Sequence, residues 1–248
     1  MAKKQRADQL LASSGVVESR EKAKRLIMAG KVHYMDRGQK TPVNKPGQQF
    51  FPETEFVVPE DSRFVSRGAH KILTAIEEFS LDFTDVIALD AGASTGGFTD
   101  CLLQHGATRV YAIDVGYGQL HEKLRQDERV INMERTNVRH AEPDLIPEPV
   151  DVIVADVSFI SLTKILPACC QFLKQGGELV VLIKPQFEVG PGQTDKGVVR
   201  DETLRQEAVT MVTEFCQTEL ELTLKGVVPS KILGPKGNQE YMAYMAKA

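Results

Sequence analysis

The chain has 248 residues, 42% of them hydrophobic and 26% charged, enough apolar side chains for one large core or for a small core beside a medium one. No apolar run approaches the ~18–20 residues of a membrane span and no signal-peptide pattern opens the chain, so a cytoplasmic protein without a membrane partner is expected. The net charge of −4 hides an asymmetry, +4 over residues 1–60 against −8 over the remainder, which points to an anionic partner met by the N-terminal segment. Cys101, Cys169, Cys170 and Cys216 show no CxxC or finger spacing. They read as reduced thiols, and no metal is expected.

In chain order, residues 6–14 and 19–29 read as two short helices, with Leu10 and Leu11 on the first and Ala23, Leu26 and Ile27 on the second. Ser19 is a candidate N-cap, and Gly15 and Gly30 stand where left-handed caps are wanted. Arg20, Lys22, Lys24 and Arg25 decorate the second helix and Lys31 follows it. Short extended pieces at 31–35 and 56–58 are separated by Gly38, Pro42, Pro46 and Pro52. The pattern Arg6-Ala7-Asp8-x-x-Leu11-x-x-x-Gly15, then Ser19-Arg20-x-x-Ala23-x-x-Leu26-Ile27-x-x-Gly30-x-Val32, resembles the alpha-L RNA-binding module named after ribosomal protein S-four. That resemblance implies a small α+β RNA-binding domain over 1–60, with Arg6, Arg20, Lys22, Lys24, Arg25 and Lys31 meeting phosphates and affinity falling with salt.

Residues 57–61 read as a linker, leaving 61–248 as a second domain. Ser66-Arg67-Gly68 leads into a helix with the stripe Ala69, Ile72, Leu73, Ile76 and Phe79. Lys71 lies off that stripe, free to face a cleft or water. Strand-type runs follow at 88–90, 109–113, 130–133, 152–155, 179–183, 222–228 and 241–245, with helical periodicity at 161–173, stopped by Gly176-Gly177, and at 201–218. The expected fold is α/β: a Rossmann-like, seven-stranded, mostly parallel sheet covered on both faces. Ligands of such sheets sit at the strands' carboxyl ends, where Asp90, Asp114, Asp156 and Lys184 all fall.

The first strand runs into Asp90-Ala91-Gly92-Ala93-Ser94-Thr95-Gly96-Gly97-Phe98-Thr99, a Gly-rich turn opening a helix at about Gly97. Such turns cradle nucleotide-type ligands on backbone N–H groups. A carboxylate at Asp90 would repel a pyrophosphate and attract an amine. Asp114, 22 residues beyond Gly92, stands at the spacing expected of a group receiving ribose hydroxyls. Ser94 occupies the place of the second glycine of a dinucleotide fingerprint, so S-adenosylmethionine suits the turn better than NAD. The candidate cofactor contacts are Asp90, Gly92, Ser94, Thr95, Gly96, Gly97, Phe98, Asp114, Asn137 after the third strand, and Asp156. Methyl transfer to a ribose hydroxyl needs alignment and a base. A lysine can serve where burial and positive neighbours favour its neutral form, and Lys184 ends the apolar run Val180-Val181-Leu182-Ile183.

The turn, with Asp114-Val115-Gly116-Tyr117-Gly118-Gln119-Leu120, Asp156-x-Ser158-Phe159-Ile160-Ser161, Lys184-Pro185-Gln186-Phe187-Glu188 and Gly237-Asn238-x-Glu240-Tyr241, resembles the TlyA (hemolysin A) family of FtsJ-like rRNA 2′-O-methyltransferases. With the N-terminal module the resemblance spans essentially the whole chain. It implies a Lys71–Asp156–Lys184–Glu240 tetrad, S-adenosylmethionine as cofactor, a cytidine ribose of ribosomal RNA as substrate, and the ribosomal subunit as partner. Arg67, beside the first lysine, is a further candidate RNA contact. The chain stops soon after Glu240, and because short terminal extensions accompany action on both subunits in this family, the large subunit is favoured. The rival readings are a non-catalytic rRNA-binding or ribosome-assembly factor with a vestigial pocket, and a membrane-lytic hemolysin.

Overall fold

A computed structural model describes residues 4–17, 19–36, 38–58 and 63–248. The chain divides into two compact units, Met1–Phe64 and Val65–Ala248.

In the smaller unit, β1 (Gln5–Arg6) leads into α1 (Ala7–Ser13), and α2 (Arg20–Met28) follows. The Ser19 side chain caps α2 by accepting from the Lys22 N–H at 3.2 Å, which satisfies one of the orphan donors of the first turn. Gly15 and Gly30, just past the two helices, have φ of +72° and +68°. A hairpin of β2 (His33–Asp36) and β3 (Gln39–Pro42) pairs through β2 with β5 (Phe56–Val57), and β1 pairs with β4 (Gln49–Phe50). Pro42 is expected to separate two extended pieces. It instead closes β3 opposite His33, at the end of an edge strand where proline's missing N–H is tolerated. Of the proposed linker, Val57 lies in β5 and residues 59–61 fall outside the described residues. Ala7, Leu10, Leu11, Val17, Ala23, Ile27, Val32, Val43 and Phe50 form the core of this unit, and Phe50 meets Tyr34 and Phe56 edge-on at 4.7 and 5.2 Å.

The larger unit opens with α3 (Ala69–Phe79), whose Ala69, Ile72, Ala75 and Ile76 are buried. Next come β6 (Ile87–Ala91), α4 (Gly97–Gln104), β7 (Arg109–Ile113), α5 (Glu122–Arg125), β8 (Val130–Met133) and β9 (Val150–Ala155). They continue into α6 (Leu166–Cys170), β10 (Leu173–Ile183), α7 (Pro185–Glu188), α8 (Glu202–Thr218), β11 (Leu222–Pro229) and β12 (Tyr241–Lys247). The sheet order is β11-β12-β10-β9-β6-β7-β8. All pairs are parallel except those of β12, which runs antiparallel to both neighbours. The seven-stranded, mostly parallel Rossmann-like sheet expected from the alternation of apolar runs and helical segments is therefore present. Its buried strands read as continuous Val/Ile/Leu/Ala runs because both faces are covered.

The expected helix over 161–173 is shorter and broken. Ser161 caps a 3₁₀ turn at Leu162–Lys164, Pro167 sits in the first turn of α6, and the chain is already in β10 at Leu173. Gly176-Gly177 do not stop a helix. They form a bulge inside β10, where the pairing to β9 slips between Leu173 and Glu178 and Gly176 takes φ of +71°.

Register determines what meets at the sheet's rim. Ala91 pairs with both Ile113 and Ala155, so Gly92, Asp114 and Asp156 leave the sheet side by side. Ile183 pairs with Tyr241, which sets Lys184, following β10, opposite Glu240, preceding β12. Among the described residues no helix is long and apolar enough to cross a membrane, and no group of three or more His, Cys, Asp or Glu side chains is placed to hold a metal.

Candidate active site

Four charged side chains from four elements converge at this rim. Lys71 comes from the first turn of α3, buried on the inward side of the helix rather than facing water. Its Nζ lies 2.8 Å from Glu240 Oε2 and 3.7 Å from Asp156 Oδ2. Lys184 Nζ lies 2.5 Å from Asp156 Oδ1 and donates to Ser158 Oγ at 2.9 Å. Glu240, with no exposed surface, accepts from Gln186 Nε2 at 3.0 Å through Oε1. Asp156 Oδ1 and Glu240 Oε2 are ion-paired by distance but receive no aligned hydrogen bond. Lysines this deep need partners, and two carboxylates for two ammonium groups keep the cluster neutral overall.

The Gly-rich turn lies beside the cluster. Gly96 requires its φ of +91° and its bare Cα, since a Cβ would come 2.1 Å from Leu124 Cδ1. Ser94 also takes a positive φ, held by Asp114, whose Oδ2 accepts from the Ser94 N–H at 2.8 Å while Oδ1 accepts from Gly116 N–H at 2.7 Å. Gly92, Ser94, Thr95, Gly97 and Phe98 line a polar cavity of about 270 Å³ with Ser66, Lys71, Asp156, Ser158 and Lys184. A more apolar cavity of about 520 Å³, walled by Ile113, Val115, Val138, Val157, Phe159 and Ile160, shares Gly92, Ser94, Asp156 and Ser158 with it and includes Asp114 and Asn137. The Asn137 carboxamide oxygen caps the Val138–His140 turn by accepting from Arg139 N–H, which leaves its NH₂ for a ligand. A third cavity of about 470 Å³ opens on the other side of Lys71, between Arg67 and the Ile232–Gly237 loop.

Two expectations need correction. Asp90 does not present a carboxylate to the crevice. It is fully buried beneath the turn, and its Oδ2 accepts from Thr99 N–H at 2.9 Å and Thr99 Oγ1 at 2.6 Å while Oδ1 has no partner. Burial pushes this carboxyl up to about 7, against the Thr99 hydroxyl bond and with help from the charges of Asp156 and Asp114. Gly96 lies outside both cavities and packs against Leu120 and Leu124, so it shapes the turn from behind.

The RNA-facing candidates divide likewise. Arg6 and Arg20 both reach the buried carboxylate of Asp8, each with Nε 2.9 Å from it. Burial raises the Asp8 carboxyl, and the Arg6 and Arg20 hydrogen bonds more than offset it, so the group sits below its ordinary range. These two arginines hold the unit together with the guanidinium edges that Asp8 uses and remain about 39% and 47% exposed. Lys24 pairs with Glu21 across one turn of α2, while Arg25 and Lys31 are exposed. Arg67 lines the third cavity. Gln186, Gly234 and Lys236, which surround Glu240 or the third cavity, have no role expected from the sequence. The motif Gly237-Asn238-x-Glu240-Tyr241 marked the end of that loop.

A turn of this kind, on this sheet order, with paired lysines and carboxylates at the rim, defines the class. Residues 64–247 match the FtsJ-like methyltransferase family, and residues 5–34 match the S4 domain. The 16S/23S rRNA (cytidine-2′-O)-methyltransferase TlyA of Mycobacterium tuberculosis is 46% identical over 248 residues, covering 99% of this chain and 91% of that protein. Hemolysin A of Brachyspira hyodysenteriae is 40% identical over 245 residues, covering 96% and 98%. A solved structure of a hemolysin from Streptococcus thermophilus superposes with a TM-score of 0.74 at 43% identity, covering 100% of this chain and 90% of that one. The chain belongs to the TlyA (hemolysin A) family of FtsJ-like methyltransferases.

Proposed function

We propose that this protein transfers a methyl group from S-adenosylmethionine to the 2′-hydroxyl of a cytidine in ribosomal RNA. The observation that carries the reading is the meeting of Lys71, Asp156, Lys184 and Glu240 beside the Gly-rich turn. The similarity to the 16S/23S rRNA (cytidine-2′-O)-methyltransferase of Mycobacterium tuberculosis supports the substrate class.

The residues present suit the cofactor. The apolar cavity offers walls for a flat base, with Asp114 as an acceptor and the Asn137 amide as a donor near its rim. The polar cavity has room for an amino-acid end between the turn and Asp156, and the glycines let a ligand approach the backbone closely. S-adenosylmethionine supplies an electrophilic methyl group when bound. The remaining work falls to the chain's own side chains. Lys184, after its ammonium proton has been released to water, takes the proton of the attacking 2′-hydroxyl on the freed Nζ lone pair, Asp156 fixes the position of that Nζ, and Ser158 Oγ holds it from the other side. Lys71, held by Glu240, keeps a positive charge near Asp156 and borders both the polar cavity and the third one. The third cavity, with Arg67 and Lys236 on its wall, is the side from which a ribose-phosphate would enter. The basic face of α2, with Lys22, Arg25 and the following Lys31, would hold RNA through phosphates. Such a substrate would be met in the cytoplasm.

Lys184→Ala tests the reading directly. It should bind S-adenosylmethionine nearly as well as the unaltered protein and lose rRNA methylation by about 10²-fold or more. Full methylation by that variant would eliminate Lys184 as the base.

A further inference from the structure

Glu240 is the most deeply enclosed member of the charged cluster, and the loop joining β11 to β12 encloses it. Within that loop Ser230 N–H donates to Glu240 O at 2.8 Å and Gly234 N–H donates to Asn238 O at 2.9 Å, folding the segment back on itself. Asn238, 3% exposed, fastens the loop to a neighbouring segment: its Oδ1 accepts from Val199 N–H at 3.1 Å, and its Nδ2 donates to Gly197 O at 2.9 Å and Pro235 O at 3.0 Å. The clamp leaves the loop little room to rise.

Gly234 is the residue pressed onto the carboxylate. A Cβ there would stand 2.1 Å from Glu240 Oε1, 2.4 Å from Cδ and 2.8 Å from Oε2. Its φ of −72° and ψ of −174° are open to any residue, so the backbone does not demand glycine. Space does. We propose that Gly234 is a positioning residue, a steric stop that fixes the Glu240 carboxylate between Lys71 and Gln186 and so sets where Lys71 stands at the methyl-transfer site. This rests on the proposed methyltransferase function.

The test has a structural and a kinetic arm on the full-length protein. In a crystal structure of Gly234→Ala, Glu240 Oε2 should leave its 2.8 Å contact with Lys71 Nζ. Single-turnover methylation should fall by about 10- to 100-fold, with S-adenosylmethionine affinity held and the pH–rate profile displaced. The paired variant Gly234→Ala/Glu240→Asp, whose shorter side chain makes room for the new methyl, should be within about twofold of Glu240→Asp alone. An unmoved Glu240 in the crystal, an unchanged rate and profile, or costs that multiply independently in the pair would overturn the proposal. If Gly234→Ala fails to fold, the paired variant decides: folding and activity like Glu240→Asp support the steric stop, and failure of the pair as well refutes it. Absence of methylation by the unaltered protein would sink the functional reading instead, and the crystal comparison would still judge Gly234.

Discussion

Asp90 can be tested without any substrate. Its carboxyl is raised by burial from 3.8 to about 7, so between those values the folded protein keeps a proton that the unfolded chain has lost. The stability this group contributes is therefore fully present below about pH 4 and is lost as pH rises through about 7. The gap corresponds to about 4 kcal/mol in all, of which about 2–3 kcal/mol disappears between pH 5 and pH 8. Asp90→Asn removes the titration, keeps an oxygen to accept from Thr99 N–H and Oγ1, and places an amide at the position now held by the unpartnered Oδ1. Urea unfolding of the larger unit at pH 5, 6, 7 and 8, without cofactor, measures the outcome. The unaltered protein should lose stability relative to Asp90→Asn by about 2–3 kcal/mol across that range, most of it before pH 7.5. A constant difference between the two proteins at every pH would refute a proton held on buried Asp90.

Asp8→Ala should cost the small unit about 2 kcal/mol, read as a lower melting transition or faster proteolysis, because it strands two partly exposed arginines around a buried site. Asp8 is held below its ordinary range, so its contribution is present above pH ~4 and drains away as pH falls through the folded value. Lys22→Glu with Arg25→Glu should weaken rRNA binding and reduce the salt slope by about one per lost phosphate contact, with cofactor affinity unchanged by calorimetry. Gly96→Ala should lose about 2–4 kcal/mol in urea unfolding, since both the +91° backbone angle and the Leu124 contact resist a Cβ.

The strands and their rim were readable because each apolar run ends abruptly in a charged or turn residue, as at Asp90, Asp114, Asp156 and Lys184. The Gly-rich turn was readable because backbone angles such as that of Gly96 leave a compositional mark. Lys71 was ambiguous, because position on a helical wheel does not say whether the flank of a stripe faces water or a cleft. Glu240 was marked by the motif Gly237-Asn238-x-Glu240-Tyr241, but nothing local says what it meets: its place at the rim depends on the pairing of Ile183 with Tyr241, 58 positions apart in the chain. Asp90 misled for a related reason. A strand's last acidic residue can point up to the ligand or under the turn, and Thr99, nine residues on, draws it under. The break of the 161–173 segment followed from strand pairing of Leu173 with Val150, a long-range contact that outweighs helical periodicity.

The placement of β12 has a consequence for how the enzyme comes into being. The strand that follows all others in the chain is inserted between β10 and β11, and Glu240 sits at its threshold. During synthesis, the segment carrying the turn, Asp114 and Asp156 emerges and can pair locally while the position beside β10 is still vacant. A nascent chain halted before Tyr241 thus owns a cradle but no finished charge cluster. Arrival of the final strand completes the sheet and, in the same event, seats the carboxylate against Lys71. Assembly of the charge cluster and closure of the sheet are thus one step.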